Sequence, residues 1–94
     1  MSTAPPTLLF FLSTRSGACR RAEGFLAQVL QRRRNHATFS VRQIDADANP
    51  ELVRRLAIEE LPTLVVVEEG RIRTRLEQPR GCAEIQAALG PWLR

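Results

Sequence analysis

The sequence predicts an α/β domain built as β-α-β-α-β-β-α, a four-stranded mixed sheet with helices on both faces. Three observations predict it. Short apolar runs of strand length alternate with longer stretches whose apolar residues recur at helical spacing, the pattern of βαβ units. The β-branched run Val65-Val66-Val67 suits a strand buried on both faces of a sheet. Glu68-Glu69-Gly70-Arg71 reads as a hairpin turn, with Gly70 able to take a positive φ. Parallel crossovers first and a hairpin last make the sheet mixed.

Taken in order, Met1–Thr7, with Pro5-Pro6, is expected to be a flexible arm ahead of a single domain over 8–94. The 94 residues suffice for one core and not two. Leu8–Leu12 is an apolar run bounded by polar residues, a central strand. A loop, Ser13–Ala18, leads into a helix over about Cys19–Arg33. There Ala22, Phe25, Leu26, Val29 and Leu30 share one stripe, against Arg20, Arg21, Gln28, Gln31 and Arg32. Arg32-Arg33-Arg34 closes it, where cations suit the negative end of the dipole.

Phe39–Ala46 is the second strand. Asn49 then stands as N-cap, Pro50 at the first helical position and Glu51 at the positive end of the dipole. Leu52, Val53 and Leu56 give that helix its apolar face, and Pro62 marks the start of the third strand. Arg71–Leu76 alternates, with Ile72, Thr74 and Leu76 on one face and Arg71, Arg73 and Arg75 on the other. That pattern predicts a half-buried edge strand whose outward charges discourage unwanted pairing. The last helix, about Gly81–Trp92, carries Ile85, Ala88, Leu89 and Trp92, with Gly90-Pro91 weakening its end.

Composition narrows the function classes. Two cysteines make no disulfide framework. The opening MSTAPPTLLFFL lacks a basic n-region, and its apolar run is short for a signal sequence. Nothing approaches the roughly 20 apolar residues of a membrane span, so a cytoplasmic location is expected, and the domain is expected to be a monomer. The net charge of +4 comes from arginine alone, since the chain contains no lysine. With no nucleic-acid motif beside it, that charge reads as solvated faces, and no nucleic-acid partner is expected. His36 stands in a loop without a second histidine or a metal-spaced ligand set, so no metal is expected. No glycine-rich phosphate loop is present, and no cofactor is expected.

The segment Arg42–Arg73 resembles the second half of a thioredoxin domain. The likeness rests on Asp47-Ala48-Asn49-Pro50-Glu51-Leu52, on Ile58, on Leu61-Pro62-Thr63-Leu64 and on Glu69-Gly70. It implies the thioredoxin-like fold without the N-terminal strand and helix that full thioredoxins carry. It also implies a cis proline at Pro62 that faces the active site. In that family the redox centre is C-x-x-C at the start of the first helix here, where the dipole and free N–H groups stabilise the attacking thiolate. This chain has Ser16-Gly17-Ala18-Cys19. The resemblance thus puts Ser16, as an N-cap, in place of the attacking cysteine and leaves Cys19 in place of the resolving one. Arg15 stands for the usual tryptophan, Phe10 for a buried aspartate and Gln43 for a lysine. A serine hydroxyl forms no disulfide, so the dithiol cycle is not available.

Two readings follow. In one, Cys19 is a single reactive thiol, its thiolate favoured by the helix start and by Arg15, Arg20 and Arg21. It would exchange with a protein disulfide or glutathione. In the other, Cys19 is a packing residue and the domain is a non-catalytic module whose groove, with Arg15, Arg20 and Arg21 around it, holds a protein or peptide, an acidic partner or a small anion at the helix start. Both use a groove expected from Arg15, Gly17, Ala18, Leu61, Pro62 and Thr63. The Asn49-Pro50 turn and Pro62 are also compatible with the KaiB clock-protein family. Cys82 opens the last helix and is expected as a lone thiol, beyond disulfide reach of Cys19.

Overall fold

The structure is a computed structural model that describes residues 4–93. In order come β1 (Thr7–Leu12), α1 (Gly17–Gln31), β2 (Ser40–Asp45), α2 (Pro50–Arg55), β3 (Thr63–Glu68), β4 (Arg71–Glu77) and α3 (Cys82–Leu89). The sheet order is β2-β1-β3-β4, so the two apolar strands β1 and β3 are central. The expected N-terminal arm falls partly on residues 1–3, outside the described residues. Thr7 already pairs with Ser40 as part of β1, and the Pro6 carbonyl accepts the Ser40 N–H at 2.9 Å.

β1 runs parallel to β2, but β3 runs antiparallel to β1, so the second crossover is not the parallel one the sequence suggested. Helix length explains the difference. The 15 residues of α1 reach about 22 Å, enough to carry the chain back along a strand of about 20 Å. The six residues of α2 reach only about 9 Å, so β3 starts at the end where β2 stopped. The end of β1, the end of β2, the start of β3 and the end of β4 therefore lie along one edge, together with the start of α1.

Period-two alternation splits the core into two layers. Leu8, Phe10, Leu64 and Val66 pack against Ala22, Leu26, Val29 and Leu30 of α1 and Ile85 and Leu89 of α3. On the opposite face Phe11 and Val65 pack with Ile58, joined by Leu9, Leu52, Val53 and Leu56 from β1 and around α2. Burial of such side chains contributes about 1.5–3 kcal/mol each, so these layers dominate stability.

Local chemistry moves several boundaries. α1 begins at Gly17 because the Ser16 hydroxyl accepts the Cys19 N–H at 3.3 Å and caps the helix one turn ahead of Cys19. It ends at Gln31, and the arginine run lies beyond its last turn in an irregular segment, Arg32–Ala37. Arg33 and Arg34 take left-handed φ of 54° and 58° there. Buried Asn35 holds the segment, donating to the Arg32 carbonyl at 2.7 Å and accepting from the Thr38 hydroxyl at 2.8 Å. Asn49 does occupy the N-cap of α2, yet its side chain turns back to the Asp45 carbonyl at 2.9 Å and braces the turn. α3 stops at Leu89, and Trp92 packs edge-on against Phe39 with ring centroids 6.1 Å apart.

β4 departs from simple alternation. A bulge pairs Thr74 with Val66 but Ile72 with Val67, leaving Arg73 as the extra residue. Opposed residues of an antiparallel pair share a face, so Ile72 is thrown to the side opposite Thr74 and Leu76 and stays 47% exposed. Arg75 pairs with Val65 and so lies on the α2 face. Its guanidinium donates to the carbonyls of Leu56 and, at 3.5 Å, Ala57, the open end of α2. Arg75 is thus half-buried and structural, not an outward charge.

Candidate functional site

The loop Ser13–Ser16, the first turns of α1, the loop before β3 and the loop after β4 meet at the shared edge of the sheet. Cys19 is 3% exposed, and its sulfur accepts the Ser13 N–H at 3.3 Å. It lines a cavity of about 240 Å³ with Leu12, Ser13, Thr14, Arg20, Glu23 and Gln43. The Gln43 amide donates to Glu23 at 2.7 Å across that cavity. Phe10, in the position the resemblance gives to aspartate, is 1% exposed in the layer under α1.

Pro62 lines a different space. The Leu61–Pro62 bond is cis, and Pro62 forms part of a groove of about 320 Å³ with Ala18, Arg21, Phe25, Gln78, Pro79 and Arg80. Gln78 joins the two loops at this point. Its N–H donates to the Pro62 carbonyl at 2.7 Å, and its amide donates to the Leu61 carbonyl and to Glu60. The Arg21 guanidinium lies back along α1, 3.4 Å from where a Cβ on Gly17 would sit.

Of the groove residues expected from the sequence, Ala18 and Pro62 line this space. Arg15 is exposed, with its N–H on the Ser13 hydroxyl at 3.3 Å, and Gly17 is exposed at the start of α1. Leu61 packs into the layer beneath α2. Thr63 is buried and donates its hydroxyl to the Glu60 carbonyl. The arginines expected together at the helix start are divided, since Arg20 lines the Cys19 cavity and Arg21 the Pro62 groove. Gln78, Pro79 and Arg80 escaped the sequence reading because only the β3–β4 hairpin brings their loop beside Pro62. Their signal was a Pro-bearing connection between the last strand and the last helix.

Cys82 is half-buried at the first turn of α3, and its thiol donates to Gln28 at 3.0 Å and toward the Phe25 carbonyl at 3.7 Å. Both cysteines are free. Among the described residues no group of three His, Cys, Asp or Glu side chains is placed to hold a metal ion. No helix among them is long and apolar enough to cross a membrane.

A cis proline beneath the start of the first helix, in a sheet of order β2-β1-β3-β4, invites comparison with known proteins. The family model described as Thioredoxin matches residues 1–90. The chain belongs to the thioredoxin family. This sets aside the clock-protein alternative. The chain is 28% identical over 85 residues to the bifunctional thioredoxin reductase/thioredoxin of Mycobacterium leprae, covering 90% of this chain and 18% of that protein. It is also 28% identical over 85 residues to a thioredoxin of Mycobacterium bovis, covering 90% and 72% of the two chains. The solution structure of reduced desulfothioredoxin from Desulfovibrio vulgaris Hildenborough shares the fold, with TM-score 0.79 and 24% identity, over 93% of this chain and 81% of that one.

Proposed function

We propose that this thioredoxin-family chain works outside the dithiol cycle, holding an extended segment of another protein in the groove beside Pro62. The observation that carries this reading is the separation of thiol and groove. Cys19 is 3% exposed, its sulfur occupied by the Ser13 N–H, and its cavity shares no lining residue with the groove at Pro62. At the helix start stands the Ser16 hydroxyl, which caps the Cys19 N–H and offers no sulfur for exchange. A cysteine buried from solvent, its sulfur already accepting a hydrogen bond, is not presented to an incoming disulfide. The protein would act as a monomer in a reducing cytoplasm, where Cys19 and Cys82 stay free.

The test is thiol-driven reduction of insulin, followed by turbidity, with the parent protein and Cys19→Ala. Both are expected at the uncatalysed rate, while iodoacetamide labels Cys82 in the native state and Cys19 only on unfolding. Activity above background that Cys19→Ala abolishes would overturn the proposal.

One observation favours a second reading. The cavity of about 240 Å³ over Cys19, flanked by Arg20 and Glu23, suits a small thiol compound. In that reading the Cys19 thiolate attacks glutathione disulfide, forming a Cys19–glutathione bond and releasing one glutathione thiolate. Mass spectrometry after incubation with glutathione disulfide decides it, and an unmodified Cys19 discards it.

A further inference from the structure

We infer that the groove beside Pro62 selects acidic segments, with Arg21 and Arg80 each taking a carboxylate on either side of an apolar residue. This rests on the groove being the binding site proposed above, and it names what the groove prefers.

The lining carries the argument. α1 supplies Ala18, Arg21 and Phe25 on one wall, and the loop after β4 supplies Gln78, Pro79 and Arg80 on the other. Pro62 and Pro79 are buried and, with half-buried Phe25, give the groove an apolar seat in the same lining as the two arginines. No carboxylate lines this space. The acidic groups nearest in the hydrogen-bond pattern are engaged outside it. Glu84 accepts the Arg80 N–H at 3.3 Å, and Glu60 accepts the Gln78 amide at 3.2 Å.

Both arginines are exposed, and neither guanidinium enters an ion pair or side-chain hydrogen bond among the described residues. They stand on fixed walls. Arg21 lies on a capped helix, and the Arg80 loop is tied to Pro62 through the Gln78 N–H at 2.7 Å. A guanidinium presents a planar fork that matches a carboxylate with two parallel hydrogen bonds. Two such forks beside an apolar seat fit an extended acidic-apolar-acidic peptide. A second copy of this chain, with net charge +4, has the wrong overall sign for that role.

Fluorescence anisotropy tests this with two labelled short peptides, one with a central Glu-Leu-Glu flanked by Gly and Ser, the other with Gln-Leu-Gln. The acidic peptide is expected to bind about tenfold tighter at low ionic strength, with each arginine contributing about threefold. Added salt should narrow the gap. Arg21→Gln or Arg80→Gln should each remove about half of the gap on a logarithmic scale, and the double variant nearly all of it. Arg42→Gln, on the far edge strand, should leave it unchanged. Neither guanidinium has a hydrogen-bond or ion-pair partner among the described residues, so the variants keep the fold.

Equal binding of the two peptides overturns the acidic preference and leaves the groove reading standing. Binding of neither peptide overturns both. A gap that survives in the double variant overturns the assignment to Arg21 and Arg80. Displacement of the acidic peptide by succinate at the peptide's own concentration range would mean a small-anion site and overturn the peptide assignment.

Discussion

Removing the Arg75 side chain tests how much one guanidinium contributes by closing the end of α2. α2 has only six residues, so its terminal carbonyls are a large fraction of its hydrogen-bonding groups. Arg75 reaches from β4 to the carbonyl of Leu56, the C-cap, and more weakly to Ala57 at 3.5 Å. A hydrogen bond from a charged donor contributes about 1.5–3 kcal/mol, and a cation at a helix C-terminus about 0.3–1 kcal/mol more. Arg75 is half-buried and its second bond is long, so Arg75→Met is expected to cost about 2 kcal/mol in total. For a domain of this size that lowers the Tm by about 8–16 °C.

Urea and thermal unfolding, read by far-UV circular dichroism and by Trp92 fluorescence, measure it, and agreement of the two probes supports the two-state treatment. Arg75→Lys keeps the charge, loses the fork, and should recover about half of the loss. Arg73→Met is the control. Its contact with Glu68 is 3.9 Å between side chains that are 52% and 33% exposed, so its loss should cost less than about 0.5 kcal/mol. If Arg75→Met unfolds within about 0.5 kcal/mol of the parent, solvent already satisfies these carbonyls and the clasp is not stabilising.

Two further substitutions test the layers around the site. Phe10→Asp should cost more than about 3 kcal/mol, because a filled core position becomes a buried carboxylate without a partner. A cooperative melt close to the parent's would show that the layer under α1 can admit water. Ile72→Ala should cost well under about 1 kcal/mol while Leu76→Ala costs about 2 kcal/mol, since the bulge sends only Leu76 into the core. Equal urea midpoints for the two variants would count against the bulge.

Much of the architecture was legible because it follows from near-neighbour chemistry. Period-two and helical apolar spacing placed the four strands and three helices. Glu69 and Gly70 took the positive φ values, 54° and 76°, that a tight hairpin requires. The spacing of Ser16 and Cys19 was readable too, since it is local to the chain. Boundaries were less legible where a cap or a buried side chain decides them, as Ser16 does for α1 and Asn35 does for the arginine run.

What the sequence by itself determined was the order of elements and the two-layer core, both set by residue type and local spacing. Only the tertiary structure decided the direction of β3, because that depends on the reach of α2 compared with the length of a strand. It alone turned Ile72 outward and made Arg75 a clasp, because a one-residue bulge reverses which face each side chain meets. It also parted Arg20 from Arg21 and brought Arg80 beside Pro62. Which charges share a groove is a matter of distance across folded elements, and alternation along the chain carries no record of it.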